Sequence, residues 1–217
     1  MSFLYVALGD SLSAGVGTGF FSPGFVQRYR RMAEMELEER VLVQVFAHPG
    51  FQTKDILHEL DDDFIKEEIQ KADIITITGG GNDLIHAARK YLQDQNERDF
   101  SIALKKSMEN ISNIIKIIQK LKMNAVKPYI IRIVNLYNPL SNDPLAIKWI
   151  KKFNQHLKSF AVNDTIAIVQ MDKAFKDYEK EYLTMDGIHP NDIGYERIAE
   201  SLHRLGYGGL LYELEEE

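Results

Sequence analysis

Residues 4–12 read Leu-Tyr-Val-Ala-Leu-Gly-Asp-Ser-Leu, and the apolar half of this stretch decides the fold class. A nearly continuous apolar run is typical of a strand that is buried on both faces of a parallel sheet. Similar runs occupy residues 41–46, 74–78, 129–134 and 166–170. Amphipathic helical patterns occupy residues 25–39, 63–71, 100–122, 143–160 and 192–205. This alternation predicts an α/β protein, a three-layer α/β/α sandwich with a five-stranded parallel sheet.

The composition of the chain excludes several classes of protein. A length of 217 residues favours one domain, which we predict to span residues 1–217. The formal net charge of −6 argues against nucleic acid as a partner. Because the chain has no cysteine, it has no disulfide, no thiolate metal ligand and no cysteine nucleophile.

Neither a signal peptide nor a membrane span is apparent in the sequence. A signal peptide requires basic residues followed by an apolar region of roughly 7–15 residues. The apolar stretch at residues 3–8 is shorter than this and has no basic residue before it. No apolar run approaches the roughly 18 residues that a membrane-spanning helix needs. We therefore predict a cytoplasmic protein with no integral membrane segment.

Glycine-rich and polar clusters follow three of the predicted strands. Residues 9–11 (Gly-Asp-Ser), 48–50 (His-Pro-Gly) and 79–83 (Gly-Gly-Gly-Asn-Asp) come after the first, second and third strands. Ligands of such sheets bind at the carboxyl ends of the strands. A fourth cluster, residues 186–189 (Asp-Gly-Ile-His), precedes the last helix. We expect all four clusters at one edge of the sheet.

Two of these clusters contain candidates for a hydroxyl nucleophile and an oxyanion donor. Ser11 begins a predicted helix, where backbone N–H groups favour developing negative charge, although Asp10 or Ser11 could simply cap that helix. The side-chain amide of Asn82 could donate to an oxyanion, or Asn82 and Asp83 could cap the next helix. Gly50 could bring its backbone N–H close to a ligand, or serve as an ordinary turn glycine.

The fourth cluster offers a candidate general base. The Asp186-x-x-His189 spacing lets the carboxylate hold the imidazole in one tautomer, although the two side chains could also bind a metal together. His48 and His86, close to the same edge, are the alternative bases. The remaining histidines lie in helical patterns and are predicted to have no catalytic role: His58, His156 and His203.

Taken together, these stretches resemble the SGNH hydrolases of the GDSL lipase and esterase family, named for Ser, Gly, Asn and His in four separate blocks. Residues 9–12 spell Gly-Asp-Ser-Leu, Gly50 falls in the second block, and residues 80–83 and 186–190 match the remaining two. The resemblance implies a flavodoxin-like sandwich. Residues 16–25 and 205–208 further resemble small bacterial spore-germination lipases, which implies association with the spore.

The resemblance also implies a reaction, the hydrolysis of a carboxylic ester through an acyl-enzyme on Ser11. His189 would act as the base and Asp186 would orient it. The oxyanion hole would consist of the backbone N–H groups of Ser11 and Gly50 and the amide of Asn82. The expected partner is a small-molecule ester or lipid, and no metal or organic cofactor is required.

Two other functions remain open from the residues alone. The first is a metal-dependent phosphoesterase, with ligands drawn from Asp10, His48, Asn82, Asp83, Asp186 and His189. The second is a domain that binds a carbohydrate or another partner without catalysis.

Aromatic residues near the predicted edge are candidates for an acyl pocket. Phe20, Phe21 and Phe25 follow the nucleophile, and Tyr137 follows the fourth strand. We expect these four side chains to contact substrate, with residues 85–96 able to cover the pocket. The alternative for each aromatic residue is ordinary core packing.

Overall fold

A five-stranded parallel sheet forms the centre of the protein. The structure, a computed structural model, describes residues 2–161 and 163–214. The strands are β1 (Ser2–Gly9), β2 (Arg40–Ala47), β3 (Ile74–Ile77), β4 (Ile130–Val134) and β5 (Ile166–Val169). They lie in the order β2-β1-β3-β4-β5, and all neighbouring pairs are parallel. The predicted sheet is confirmed, and β1 lies between β2 and β3.

Helices cover both faces of this sheet. They are α1 (Ser11–Ala14), α2 (Phe25–Glu36), α3 (Thr53–Glu59), α4 (Asp63–Lys71), α5 (Gly81–Asp94), α6 (Arg98–Leu121), α7 (Pro144–Leu157), α8 (Met171–Ala174), α9 (Glu179–Tyr182) and α10 (Asp192–His203). Two 3₁₀ segments follow α7 and α10, at Lys158–Phe160 and Gly208–Leu214. The three-layer arrangement is the predicted one. Within residues 2–161 and 163–214, no helix combines the length and apolarity that crossing a membrane requires.

Two hydrophobic cores lie on opposite faces of the sheet. Successive residues of a strand point to opposite faces, so the side chains of β1 divide between them. Phe3, Tyr5 and Ala7 pack in the core that α2 and α10 cover. Val6 and Leu8 pack in the core that helices α3 to α7 cover. Burial on both sides explains why β1 is apolar without alternation.

Some helix boundaries differ from the predicted ones. The helix predicted over residues 25–39 ends at Glu36, and Glu38 then takes a φ of 51°, in the left-handed region where a right-handed helix cannot continue. The helix predicted over residues 143–160 is α-helical only as far as Leu157, and the remaining residues 158–160 form the 3₁₀ segment.

Most of residues 85–96, the stretch expected to be able to cover the pocket, belongs to α5. This helix packs along α6 and buries Leu84 and Ala87. Lys90 Nζ also pairs with Asp99 Oδ1 at 3.1 Å. Residues 85–94 are therefore part of a helix that packs on the second core.

Candidate active site

Ser11 lies directly beyond β1, at the first position of α1. The residue that caps this helix is Asp10, because its carboxylate accepts a hydrogen bond from the backbone N–H of Leu12 at 3.1 Å. The capping role therefore belongs to Asp10, and the hydroxyl of Ser11 is left for another contact.

A buried polar network supports the turn that carries Ser11. Thr78 Oγ1 donates to Asp10 Oδ1 at 2.9 Å and lies 2.9 Å from Ser13 Oγ. Gly9 passes so close to Thr78 that a Cβ at this glycine would lie 2.1 Å from Thr78 Oγ1. Burial raises the pKa of Asp10 above its usual value, although the hydrogen bonds from Leu12 and Thr78 oppose the increase. Sequence reasoning missed Thr78, which carries no signal beyond its place at the end of a strand.

Ser11, His189 and Asp186 form a continuous hydrogen-bonded series. Ser11 Oγ lies 3.1 Å from His189 Nε2. On the other side of the ring, His189 Nδ1 lies 2.6 Å from Asp186 Oδ2. The structure thus brings together two side chains that are 178 residues apart in the sequence, in the geometry by which an imidazole accepts a proton from a hydroxyl.

The second oxygen of Asp186 holds the loop in which His189 lies. Asp186 Oδ1 accepts hydrogen bonds from the backbone N–H groups of Ile188 at 2.8 Å and His189 at 2.9 Å, and from Thr184 Oγ1 at 2.7 Å. The loop turns at Gly187, whose φ of 67° is in the left-handed region that favours glycine. One carboxylate therefore orients the imidazole and also shapes the backbone around it.

These hydrogen bonds determine the charge of Asp186. Its partial burial acts to raise its pKa, but the hydrogen bonds from His189, Ile188 and Thr184 outweigh burial and hold the pKa well below its usual range. Asp186 is therefore ionised at neutral pH. Its negative charge is available to stabilise an imidazolium at His189.

The three donors predicted for an oxyanion hole lie on the loops after neighbouring strands. Ser11 follows β1, Gly50 follows β2, and Asn82 follows β3 in the first turn of α5. The β2-β1-β3 order puts Ser11 between the other two loops. Among the described residues, none accepts a hydrogen bond from the backbone N–H of Ser11 or Gly50. Asn82 Nδ2 donates to the carbonyl of Phe51 at 2.8 Å, which uses one of its two N–H bonds.

Backbone geometry explains why a glycine occupies position 50. Its φ is 87°, in the left-handed region, and a Cβ there would meet no atom within 4 Å. Glycine is therefore favoured at this position by its backbone conformation, and not by a lack of space for a side chain. The backbone N–H of His48 donates to the carbonyl of Gly9 at 3.2 Å, which ties this loop to the end of β1 beside Ser11.

Asp83, in the cluster at residues 79–83, is hydrogen-bonded to Thr53, which follows the cluster at residues 48–50. It accepts two hydrogen bonds from Thr53, one from the backbone N–H at 2.9 Å and one from the hydroxyl at 2.8 Å. Asn110 of α6 donates to the same hydroxyl at 3.0 Å. Asp83 is buried and adjacent to Asn82, so this network fixes the start of α5 relative to the loop that carries Gly50.

The other histidines have different surroundings. His48 pairs with Glu59 at 3.0 Å, and His58 pairs with Asp61 at 3.1 Å. His156 Nδ1 lies 2.8 Å from the carbonyl of Lys152, and His203 Nδ1 lies 3.0 Å from the hydroxyl of Tyr207. His86 is exposed on α5. Among the described histidines, only His189 is hydrogen-bonded to Ser11.

The side chains considered as metal ligands do not converge. In the described part of the chain, no group of three or more histidine and carboxylate side chains is arranged to hold a metal ion. Asp10 is hydrogen-bonded to Thr78, Asp83 to Thr53, and His48 pairs with Glu59. The phosphoesterase alternative therefore has no structural support.

The predicted aromatic pocket requires correction at two of its four residues. Phe25 is fully buried in the core between the sheet and α2, so it has no surface to offer a substrate. Tyr137 is also buried: its ring stacks on Phe175 at 4.5 Å, and its hydroxyl donates to the carbonyl of Ile188 at 2.6 Å. Phe20 and Phe21, in contrast, are exposed on the loop between α1 and α2.

The fold and the site together define a class of protein. A serine, a histidine and a carboxylate in hydrogen-bonded series, at the carboxyl edge of a parallel sheet, are the arrangement of a serine-dependent hydrolase. Comparison of the sequence with protein families then identifies the family. The model of the GDSL-like Lipase/Acylhydrolase family matches residues 7–197, and the chain belongs to this family.

Individual relatives agree with the family assignment. The chain is 44% identical over 210 residues to the spore germination lipase LipC of Bacillus licheniformis, a match covering 97% of this chain and 99% of the relative. A crystal structure of the lipase Lip_vut3 from a goat rumen metagenome is also 44% identical, with a TM-score of 0.93 and coverage of 96% and 99%. The resemblance to GDSL lipases and esterases is confirmed, and the protein is a carboxylic ester hydrolase of this type.

A more distant structure shares the fold. The acetylxylan esterase Axe2 of Geobacillus stearothermophilus superimposes with a TM-score of 0.70 at 18% identity, over 95% of this chain and 94% of the esterase. At this identity the likeness concerns the arrangement of sheet and helices.

Proposed function

We propose that the protein hydrolyses carboxylic esters of lipids through an acyl-enzyme on Ser11. The observation that carries this proposal is the hydrogen-bonded series of Ser11, His189 and Asp186, with distances of 3.1 Å and 2.6 Å. Because Nδ1 of His189 faces a carboxylate, the ring keeps its proton on Nδ1. Nε2 is then free to accept the proton of the serine hydroxyl.

The first half of the reaction forms the acyl-enzyme. His189 Nε2 accepts the Ser11 proton while Ser11 Oγ bonds to the ester carbonyl carbon, and the carbonyl oxygen becomes an oxyanion. The ionised Asp186 stabilises the imidazolium that results. The imidazolium then donates its proton to the departing alcohol oxygen as the ester bond breaks.

The second half releases the acid. A water molecule gives a proton to His189 Nε2 and attacks the acyl carbon, and the bond to Ser11 Oγ breaks as His189 returns the proton to that oxygen. In both halves the oxyanion accepts hydrogen bonds from the backbone N–H groups of Ser11 and Gly50 and from the second N–H of Asn82.

A serine-directed probe tests this proposal. We expect a fluorophosphonate to add once to the wild-type protein, on Ser11, and peptide fragmentation should distinguish Ser11 from Ser13. Ser13 is a matched internal control, because its hydroxyl contacts Leu8 and Thr78 and not a histidine. An unlabelled wild-type protein, or an adduct on Ser13, would contradict the proposal.

Replacing Asn82 by alanine tests the oxyanion hole. We expect kcat to fall about 10²- to 10³-fold with little change in KM, because the donor acts on charge that develops only in the transition state. Steady-state kinetics with a soluble p-nitrophenyl ester provides the measurement. Since Asn82 also holds the carbonyl of Phe51, the melting temperature should be recorded as a control. A kcat within about threefold of wild type would show that Asn82 does not donate to the oxyanion.

Replacing Tyr137 by phenylalanine tests whether its hydroxyl positions His189. The variant loses the 2.6 Å hydrogen bond to the carbonyl of Ile188, the residue before His189. Burial keeps the pKa of Tyr137 well above its usual value, so the hydroxyl is protonated and can donate. We expect kcat to fall about tenfold with KM nearly unchanged.

Tyr129→Phe is the matched control for this variant. Tyr129 lies just before β4, at the opposite end of the strand that Tyr137 follows. The Tyr129→Phe replacement, which removes a hydroxyl far from His189, should leave kcat within about twofold of wild type. Equal effects of the two replacements would indicate a general loss of stability and not a positioning role for Tyr137.

We further propose that the physiological substrate is a lipid of the bacterial spore. The support is the 44% identity to a relative named as a spore germination lipase. Germinating spores that produce the Ser11→Ala variant in place of the wild-type protein should release less free fatty acid. Equal release of free fatty acid from both kinds of spore would show that spore lipid is not the substrate of this enzyme.

A further inference from the structure

Two adjacent phenylalanines near the site lie almost wholly in solvent. Phe20 is 95% exposed and Phe21 is 94% exposed. Their rings contact each other edge to face, with centroids 4.7 Å apart. An exposed pair of large aromatic side chains forgoes the favourable burial of apolar surface, and such patches mark contact sites.

The turn that carries these rings is well anchored. The backbone N–H of Ser22 donates to the carbonyl of Gly19 at 2.9 Å and closes the turn with Phe20 and Phe21 at its tip. Asp192 of α10 accepts from the backbone N–H of Gly19 at 3.1 Å and from the Ser22 hydroxyl at 2.9 Å. Both sides of the turn are thus tied to one carboxylate, and the fold itself presents the two rings to solvent.

This turn lies beside the loop that contains His189. The preceding segment passes so close that a Cβ at Gly17 would lie 3.0 Å from His189 Cβ and 2.5 Å from the carbonyl oxygen of Pro190. The segment from Thr184 onward contributes further exposed apolar side chains, Met185, Ile188 and Ile193. We call Phe20, Phe21, Met185, Ile188 and Ile193 the apolar rim. Exposed apolar surface therefore flanks the proposed catalytic histidine on two segments.

Charge indicates what this rim contacts. Residues 11–27 contain no Asp, Glu, Lys or Arg, although charged residues make up 27% of the chain. Beneath the turn, Arg28 pairs with Asp192 at 4.0 Å and also pairs with Glu196. One arginine beside two carboxylates leaves a net negative charge behind the uncharged tip, which favours a neutral or zwitterionic partner over an anionic one. The net charge of −6 disfavours a strongly anionic one.

We propose that the apolar rim docks the enzyme on the surface of a neutral or zwitterionic lipid aggregate, with Phe20 and Phe21 entering the boundary between headgroups and acyl chains. Aromatic rings are favoured at that boundary. Docking there brings the hydroxyl of Ser11 to the layer in which ester bonds of lipids lie. The inference rests on the proposed function, because the lipid aggregate would contain the ester that the proposed catalytic site hydrolyses.

Binding to vesicles in the absence of turnover tests the docking surface. All proteins carry Ser11→Ala, so the lipid remains intact, and sedimentation with phosphatidylcholine vesicles measures the partition coefficient. Adding Phe20→Ser and Phe21→Ser should lower this coefficient by about a hundredfold, since about tenfold per removed ring is expected when each ring is partly buried in lipid. Met123→Ser with Val126→Ser is the matched control.

Met123 and Val126 are also strongly exposed, but they lie before β4, at the opposite edge of the sheet. Their double replacement should leave the partition coefficient within about twofold. A second readout uses Phe21→Trp, because Trp149, the single tryptophan, is buried. The emission of the new indole should shift to shorter wavelength when vesicles are added.

Three results would overturn the docking proposal. They are an unchanged partition coefficient after loss of both rings, an equal loss in the control pair, or no vesicle binding by the protein whose rim is intact. In the last case, gel filtration that shows a dimer disrupted by Phe20→Ser and Phe21→Ser would assign the rim to a second copy of the chain. Hydrolysis of a soluble short-chain ester by the wild-type protein tests the proposed function separately, so the two failures are distinguishable.

Discussion

Replacing Ser11 or His189 by alanine should lower kcat by about 10⁴- to 10⁶-fold on any ester substrate. Loss of Ser11 removes the nucleophile, and loss of His189 removes the base 3.1 Å from it. Because the two residues act as one unit, the double variant should be no slower than either single variant. Active-site titration should accompany the kinetics, since traces of wild-type protein can account for residual rates of this size.

The matched control for Ser11→Ala is Ser22→Ala. Ser22 lies on the loop that follows α1, the helix that begins at Ser11, but its hydroxyl donates to Asp192 and not to a histidine. Its loss should leave turnover of a soluble ester within about twofold of wild type. Additive effects of Ser11→Ala and His189→Ala would indicate that the two residues do not act in one chemical step.

Replacing Asp186 by asparagine should lower kcat about 10³- to 10⁴-fold, although the change in shape is minimal. The structure explains why. Oδ1 of Asp186 accepts from the hydroxyl of Thr184 and from the backbone N–H groups of Ile188 and His189, so the amide oxygen of asparagine takes that position. The amide NH₂ then replaces Oδ2 and faces Nδ1 of His189.

An NH₂ group donates to Nδ1 and shifts the ring proton to Nε2, where it prevents acceptance of the Ser11 proton. The lost charge also removes the stabilisation of the imidazolium. Steady-state kinetics measures the effect, and Asp143→Asn, at the cap of α7 where asparagine is an equally good cap, is the control. If Asp186→Asn kept a kcat within tenfold of wild type, Asp186 would not be the residue that sets the tautomer of His189.

Much of the fold followed from patterns of neighbouring residues. A strand buried on both faces is mostly apolar, which is why β1, β3, β4 and β5 could be located from their sequences. The remaining strand, β2, was also located from its apolar residues, but it lies at the edge of the sheet and is only partly buried, with Leu42 44% exposed. The periodicity of apolar residues located the helices α2, α4, α6, α7 and α10, but the 14-residue helix α5 was not among the predicted helical patterns. The short helices α1, α3, α8 and α9 were not located either, because a helix of one or two turns is too short to display a period and depends on its caps and tertiary contacts.

The predicted site shows where local reasoning succeeded and where it failed. Each cluster was found from residue types that are uncommon in strands, such as the glycines and polar residues around Ser11 and Asn82. Phe25 and Tyr137 were expected to contact substrate, but both are buried. An aromatic residue near the edge of a sheet points either to solvent or to the core, and only packing decides which.

The amino-acid sequence alone determined the fold class and the family, and it singled out Ser11, Asn82, Asp186 and His189 as the proposed catalytic residues. These properties depend on residue type and short spacing, which the chain displays directly. Tertiary structure decided the contact between Ser11 and His189, the orientation of Asp186, the support by Thr78 and Tyr137, and the exposure of Phe20 and Phe21. Distances between residues far apart in the chain arise only from the packing of the sheet and its helices, and no local pattern encodes them.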